Sequence, residues 1–148
     1  MNTAPHPARI RVTKLQHHVF YVRDLARSKA FYMQLLDLQF SALNHPDSSA
    51  AMRLSKQEMH FFSFGYYHHD ICLVKHHKLT PDNGSMLHFT LNARDRAAFD
   101  GIRDRARQMG SRVREGRFIA SARKDGISAF ALQDPDGHWL EILHEDQP

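Results

Sequence analysis

Apolar and polar positions alternate in two stretches of the chain, and a histidine opens each. In the second stretch Leu87, Phe89, Leu91 and Ala93 fall on one side of an extended backbone and His88, Thr90 and Asn92 on the other. A period of two marks a strand with one buried face. In the first stretch His18, Phe20 and Val22 share a face, and His17, Val19 and Tyr21 share the opposite one. Each strand gives way to helical spacing: Leu25, Phe31 and Leu35 in one case, Ala98, Ile102, Ala106 and Met109 in the other. An aspartate follows each opening histidine by seven positions, His17 to Asp24 and His88 to Asp95. There its carboxylate can accept from the open amides of a helix N-terminus and meet the helix dipole. Gly110 is suited to stop the second helix.

Strand-like runs follow each helix, at 39–43, 58–64 and 69–75, and at 112–117, 127–133 and 138–144. Turn-forming residues mark the boundaries: 81–84 (Pro-Asp-Asn-Gly) between the halves and 134–137 (Asp-Pro-Asp-Gly) before the last strand. Residues 46–50 form a loop within the first half. Each half therefore reads strand, helix, strand, strand, strand, and a repeat of this length constrains the fold strongly. The expected fold is α+β, two βαβββ modules forming a curved mixed sheet around a metal-binding cavity. Residues 1–14 form an N-terminal arm and 15–145 a single domain, with module one at 15–80 and module two at 85–145.

Composition narrows the possibilities. The chain has 148 residues, 42% hydrophobic and 24% charged, the balance of one globular domain with a real core. No apolar run approaches the roughly 18 residues of a membrane span, and residues 1–14 lack the apolar stretch of a signal peptide. The lone cysteine, Cys72, excludes an internal disulfide, which fits a cytoplasmic setting. The net charge of +4 is too small to argue for nucleic acid. The densest basic stretch, Arg94 to Arg107, is interleaved with Asp95, Asp100 and Asp104 and reads as a solvated helix face.

The outlier is histidine, with 12 copies. Histidine is the commonest metal ligand, and position decides which copies matter. His17 and His88 occupy matched places and project to the shared cavity. In the last strand Leu140 and Ile142 take the apolar face, which leaves Glu141 and Trp139 on the cavity side. A carboxylate in an apolar strand is costly unless it is paired or bound to a cation. Two histidines and one carboxylate with open positions suit Fe(II); Mn(II) and Zn(II) suit the same ligands. His18 faces the helices and is structural. Cys72 is a small buried hydrophobe on a different face from His69. Phe31 and Tyr32 pack helix on sheet. His6, His45, His60, His76, His77, His138 and His144 are read as surface residues, and Arg117, Arg123 and Lys124 as solvated loop charges rather than contacts to an anionic substrate.

The run His17, Asp24, Leu25, Ser28, Phe31, Tyr32, the strand MLHFTL around His88 and the ending DPDGHWLEIL resemble the vicinal oxygen chelate superfamily of glyoxalase I, antibiotic resistance proteins and type I extradiol dioxygenases. The resemblance spans Leu15 to Leu143. It implies His17, His88 and Glu141 as metal ligands, a small-molecule substrate and no nucleic-acid or membrane partner. Similar single-domain proteins are often homodimers, in some of which the site is shared between chains. The run Tyr67-His68-His69-Asp70-Ile71 is similar to the strand that carries the acid–base histidine of extradiol enzymes. That match implies His69 as the catalytic residue, Fe(II) as the metal, and dioxygen and a catechol-like vicinal diol as substrates. No glutamate occurs between His60 and Asn83, where glyoxalase-type members place a fourth ligand. Extradiol enzymes carry a tyrosine at the position of Ala131 and a histidine in the loop before that strand, and both are missing here. Tyr21, Thr90, Trp139 and Ala131 are the expected substrate-pocket residues, Tyr21 as a substitute phenol. The alternatives are a glyoxalase-like or epimerase-like metalloenzyme working through a metal-stabilised enolate, and a resistance-type binding protein.

Overall fold

The computed structural model describes residues 15–44, 58–76, 88–116 and 126–145. Module one contains β1 (His18–Val22), α1 (Leu25–Leu36), β2 (Gln39–Asn44), β3 (Met59–Ser63) and β4 (Ile71–Lys75). Module two repeats the order with β5 (His88–Asn92), α2 (Arg96–Gln108), β6 (Val113–Glu115), β7 (Ile127–Gln133) and β8 (Trp139–Glu145). Both sheets have the same topology, β1-β4-β3-β2 and β5-β8-β7-β6. In each, the opening strand runs parallel to the last and the other pairs are antiparallel. The α+β class and the two mixed-sheet modules are as the sequence implies. Among the described residues the two sheets stay separate and do not close into one.

Local chemistry explains the helix limits. Asp24 accepts from the Arg27 amide at 3.0 Å and Asp95 from the Ala98 amide at 2.8 Å, so each helix starts at its side-chain cap. The Ala98 bond, helped by Arg94, holds the Asp95 carboxyl below its usual range. The helix ends differ. Gly110 follows α2 at φ 73°, where glycine meets no Cβ penalty. Asp37 ends α1 at φ 53°, in the left-handed region. Arg105 of α2 reaches across to it, donating to Asp37 Oδ1 at 2.7 Å and to the Gln34 carbonyl at 3.1 Å. One helix thus supplies partners for carbonyl and carboxylate at the end of the other.

The core is common to both modules. Phe20 and Val22 of β1, Leu25, Phe31, Tyr32 and Leu35 of α1, and Phe99, Phe130, Leu132, Leu140 and Ile142 of module two form one buried cluster. The rings of Phe20 and Phe89 lie 5.5 Å apart across the junction. Each sheet therefore turns its apolar alternation inward. The opposite faces carry Val19 and Tyr21 in module one and Thr90 and Asn92 in module two, all exposed.

A buried polar clamp joins the modules. The turn at 134–137, with Gly137 at φ 91°, sends Asp134 and Asp136 back toward α1. Asp136 accepts from the Arg23 amide and Nε at 3.1 and 2.7 Å and from Ser28 Oγ at 3.1 Å. Asp134 accepts from Tyr32 Oη at 2.8 Å and from the amides of Asp136 and His138, and its Oδ2 lies 2.9 Å from His138 Nδ1. Burial and the neighbouring carboxylates push the Tyr32 phenol well up, so it stays a donor. Buried carboxylates persist only when so satisfied. Two histidines read as surface residues are corrected here. His138 is buried because Asp134 holds it, and His60 is buried with Nε2 3.1 Å from Glu58 Oε1. His6, His45, His77, Arg117, Arg123, Lys124 and the segments 46–50 and 81–84 lie outside the described residues.

Candidate metal centre

Strand register places the module-two residues. β5 pairs with β8 so that Thr90 stands opposite Glu141 and His88 opposite Trp139. β7 pairs with β8 so that Ala131 stands opposite Glu141. Residues paired directly across a sheet share a face, so all five lie on one side, with the core residues Leu140 and Ile142 on the other. Glu141 is 6% exposed. Thr90 Oγ1 donates to its Oε2 at 3.1 Å, and His88 Nε2 lies 3.6 Å from the same oxygen. That gap is too long for a hydrogen bond. It is close to the separation of two ligands on one ion, about 3.0–3.4 Å for bonds near 2.1 Å. An imidazole nitrogen and a carboxylate oxygen, both largely withdrawn from water and the latter oriented by a hydroxyl, suit a divalent cation.

Module one supplies imidazoles. His17, just before β1, is exposed, and its ring centre lies 4.6 Å from that of His69. His69 packs at 4.8 Å on Phe61, and its Nδ1 lies 2.8 Å from His68 Nδ1. One of these nitrogens must donate and the other accept. Partial burial, then the neighbouring His17 and His68, lower the His69 pKa, with Asp70 opposing. Alternation alone separates His69 from Cys72. The bend at 69–70 ahead of β4 instead brings His69 against Phe61, which is in one small cluster with Cys72 and Val74. Cys72 is buried, and burial pushes its thiol up to about 12.

His18 packs between Phe20 and Phe89, at 5.6 and 5.5 Å, and faces the core. Its Nε2 is buried without a hydrogen-bond partner, and burial, His138 and His17 lower its pKa. Tyr21 is half-exposed beside His76, ring centres 4.8 Å apart. Trp139 is half-buried with the Arg112 guanidinium 5.7 Å from its ring centre.

The expected ligands thus fall into two parts, His88 with Glu141 and His17 with His69. Among the described residues of one chain, no three His, Cys, Asp or Glu side chains converge to hold an ion. A groove of about 460 Å³ lies at the module junction, lined by Arg27, Phe31 and Gln34 of α1 and by Arg112, Gln133 and Asp134, and includes none of these four residues. Sequence reasoning gives the clamp no joint role: Ser28 enters only within the motif, Asp134 and Asp136 only as turn residues, His138 as a surface residue, and Arg23 not at all. Their signal was present in two acids in a turn and in a Ser and a Tyr on the apolar face of α1. No helix among the described residues is long and apolar enough to cross a membrane.

The profile of the Glyoxalase/Bleomycin resistance protein/Dioxygenase superfamily matches residues 14–142. No curated protein matches the chain in sequence. Several solved structures share its fold. The fosfomycin resistance protein FosX from Mesorhizobium loti is 20% identical with a TM-score of 0.65, over 93% of this chain and 94% of that one. A mutant FosX from Listeria monocytogenes, complexed with Mn(II) and 1S,2S-dihydroxypropylphosphonic acid, is 17% identical with a TM-score of 0.62, over 93% and 95%. A glyoxylase/bleomycin resistance protein/dioxygenase domain from Frankia sp. EAN1pec is 16% identical with a TM-score of 0.67, over 91% and 99%.

Proposed function

Because the chain belongs to the Glyoxalase/Bleomycin resistance protein/Dioxygenase superfamily, we propose that it is a divalent-metal enzyme acting on a small molecule that binds through two adjacent oxygens. His17, His88 and Glu141 are its ligands, and they come together between two copies of the chain in a homodimer. The division of the ligands supports the shared site. His88 and Glu141 lie on the outward face of one sheet, and His17 is exposed on the outward side of the other beside Val19 and Tyr21, themselves 48% and 47% exposed. A second copy can bring His17 to the pair without disturbing the common core.

Within that frame the reading is an extradiol-type dioxygenase, taking Fe(II), dioxygen and a catechol-like diol. The observation that carries it is His69 beside His17 at 4.6 Å. When bound, the metal supplies Lewis acidity that lowers a substrate hydroxyl pKa and, as iron, electrons for oxygen chemistry. His69 stands where it can take the hydroxyl proton and return one later in the reaction. Thr90 fixes the Glu141 carboxylate, and Trp139, Ala131 and Tyr21 line the substrate space. The solved FosX complex with Mn(II) and a dihydroxypropylphosphonic acid favours a second reading, a non-redox metalloenzyme.

Two experiments decide. Oxygen uptake by Fe(II)-loaded protein with substituted catechols is expected. Full turnover with Mn(II) under nitrogen supports the second reading instead. For the shared site, His17→Ala and Glu141→Ala chains are mixed and allowed to exchange. Each mixed dimer then regains one intact ligand set, and metal binding returns. No recovery in mixed dimers overturns the shared site.

A further inference from the structure

We infer that the module-two face also recognises an oxyanion on the substrate, a carboxylate or phosphate-type group separate from its two chelating oxygens, and that Arg112 and Arg114 read it. The inference rests on the proposed site at His88 and Glu141 and names the substrate class for it.

Register carries the argument. β6 pairs antiparallel with β7, Val113 opposite Leu132 and Arg114 opposite Ala131. The Gln133 amide donates to the Arg112 carbonyl at 3.0 Å, which extends the ladder by one residue. Val113 packs on the core, so Arg112 and Arg114 take the other face, the one that carries Glu141. Two rows cross that face. One runs Arg114, Ala131, Glu141, Thr90, and the other Arg112, Gln133, Trp139, His88. Adjacent strands stand about 4.8 Å apart, so each arginine is two strands from the β8 residue of its row, Glu141 or Trp139. In the first row only the methyl of Ala131 stands between Arg114 and Glu141, at the position where extradiol enzymes carry a tyrosine. In the second row the Arg112 guanidinium already leans across to Trp139, 5.7 Å from its ring centre.

The charge on this face is one-sided. Glu141 is the acid in these rows. Glu115, next along β6, turns to α2, where Arg107 and Arg103 hold it. The corresponding positions of module one carry no charge: Val19 is exposed, and Phe61, Cys72 and Val74 form a buried apolar cluster. A ligand with two chelating oxygens and an oxyanion fits the module-two face. Guanidinium groups bind such oxyanions through paired N–H donors.

Trp139 is the only tryptophan in the chain, so its indole N–H signal in a nitrogen–proton NMR spectrum reports on this face alone. The 148-residue protein is titrated with 3,4-dihydroxybenzoate and with catechol. The carboxylate probe is expected to bind about tenfold tighter, the effect of one charge-assisted contact. Arg114→Gln and Arg112→Gln should each cut that preference several-fold and together remove it, with catechol affinity unchanged. Equal affinity for both probes, no response of the indole to the carboxylate, or a preference that survives the double variant overturns the inference. So does equal weakening of both probes, which would mean the arginines only hold Trp139 and Glu141 in place. A carboxylate preference in unaltered protein that takes up no divalent metal leaves the inference standing while the enzymatic reading falls.

Discussion

Cys72 and Glu141 occupy the same place in the two modules. Cys72 stands opposite Val19 in the parallel pair of β1 and β4, and Glu141 stands opposite Thr90 in the parallel pair of β5 and β8. One position holds a buried thiol in a cluster with Phe61 and Val74, its pKa raised to about 12 by that burial. The other holds a carboxylate bonded by Thr90 and faced by His88. The backbone plan is the same, and two side chains per strand pair decide whether the face is an apolar wall or carries a hydrogen-bonded carboxylate beside an imidazole. The difference teaches that the doubled fold keeps one acid position in use. With two histidines and a single acid, a metal retains open positions for substrate.

Exchanging or deleting groups on one side and not the other sharpens the comparison. Glu141→Ala should weaken metal binding by more than about a hundredfold, since even loss of a supporting partner costs 10–100-fold. Cys72→Ala should leave metal content unchanged and lower stability by about 1 kcal/mol. Metal analysis of the purified proteins and urea unfolding check both. His69→Gln should lower turnover by about a hundredfold or more with bound metal unchanged, the usual range for a proton-transfer group. Equal loss of metal would show that His69 is a ligand instead.

Stability separates the faces next. Val74→Asp places a charge in the module-one cluster and should cost about 3 kcal/mol or more. Asn92→Asp, on the exposed face of module two, should change stability by no more than about 0.5 kcal/mol. Similar urea midpoints for the two would break the distinction. The caps provide the opposite check, because there the modules agree. Asp24→Ala and Asp95→Ala should each cost about 1 kcal/mol.

The smallest effect is on pH response. The folded state raises the Cys72 pKa from 9.0 to about 12, so it favours the protonated thiol. Its contribution to stability is complete below about pH 9 and is lost as pH rises toward 12. Iodoacetamide at pH 8 should therefore leave Cys72 unlabelled in native protein and alkylate it in urea. Rapid native labelling would show that the module-one wall is open.

Much of the fold was legible because it rests on local rules. The alternation in 18–22 and 88–92, the aspartates that cap the helices, and the Asp-Pro-Asp-Gly turn act within a few residues of themselves, and the structure bears each out. The equivalence of His17 and His88 was visible for the same reason. What misled was reading histidine burial from polarity alone. His138 is buried because Asp134 satisfies it, and Asp134 is in turn held by Tyr32, more than a hundred residues away in sequence. The packing of His69 on Phe61, a neighbour of Cys72, was hidden by irregular backbone ahead of β4 that no two-residue period records.

By itself the sequence determined the doubled plan, the strand faces and the residue types able to bind a cation, because period, caps and turns are written in short stretches of chain. The tertiary structure alone decided which of those residues meet. It set His88 against Glu141 and His17 against His69, kept the two sheets apart, and put Arg114 in register with the acid and Arg112 in register with Trp139. Such juxtapositions come from strand pairing and from the packing of one module on the other. They join residues whose separation along the chain carries no signal of their separation in space.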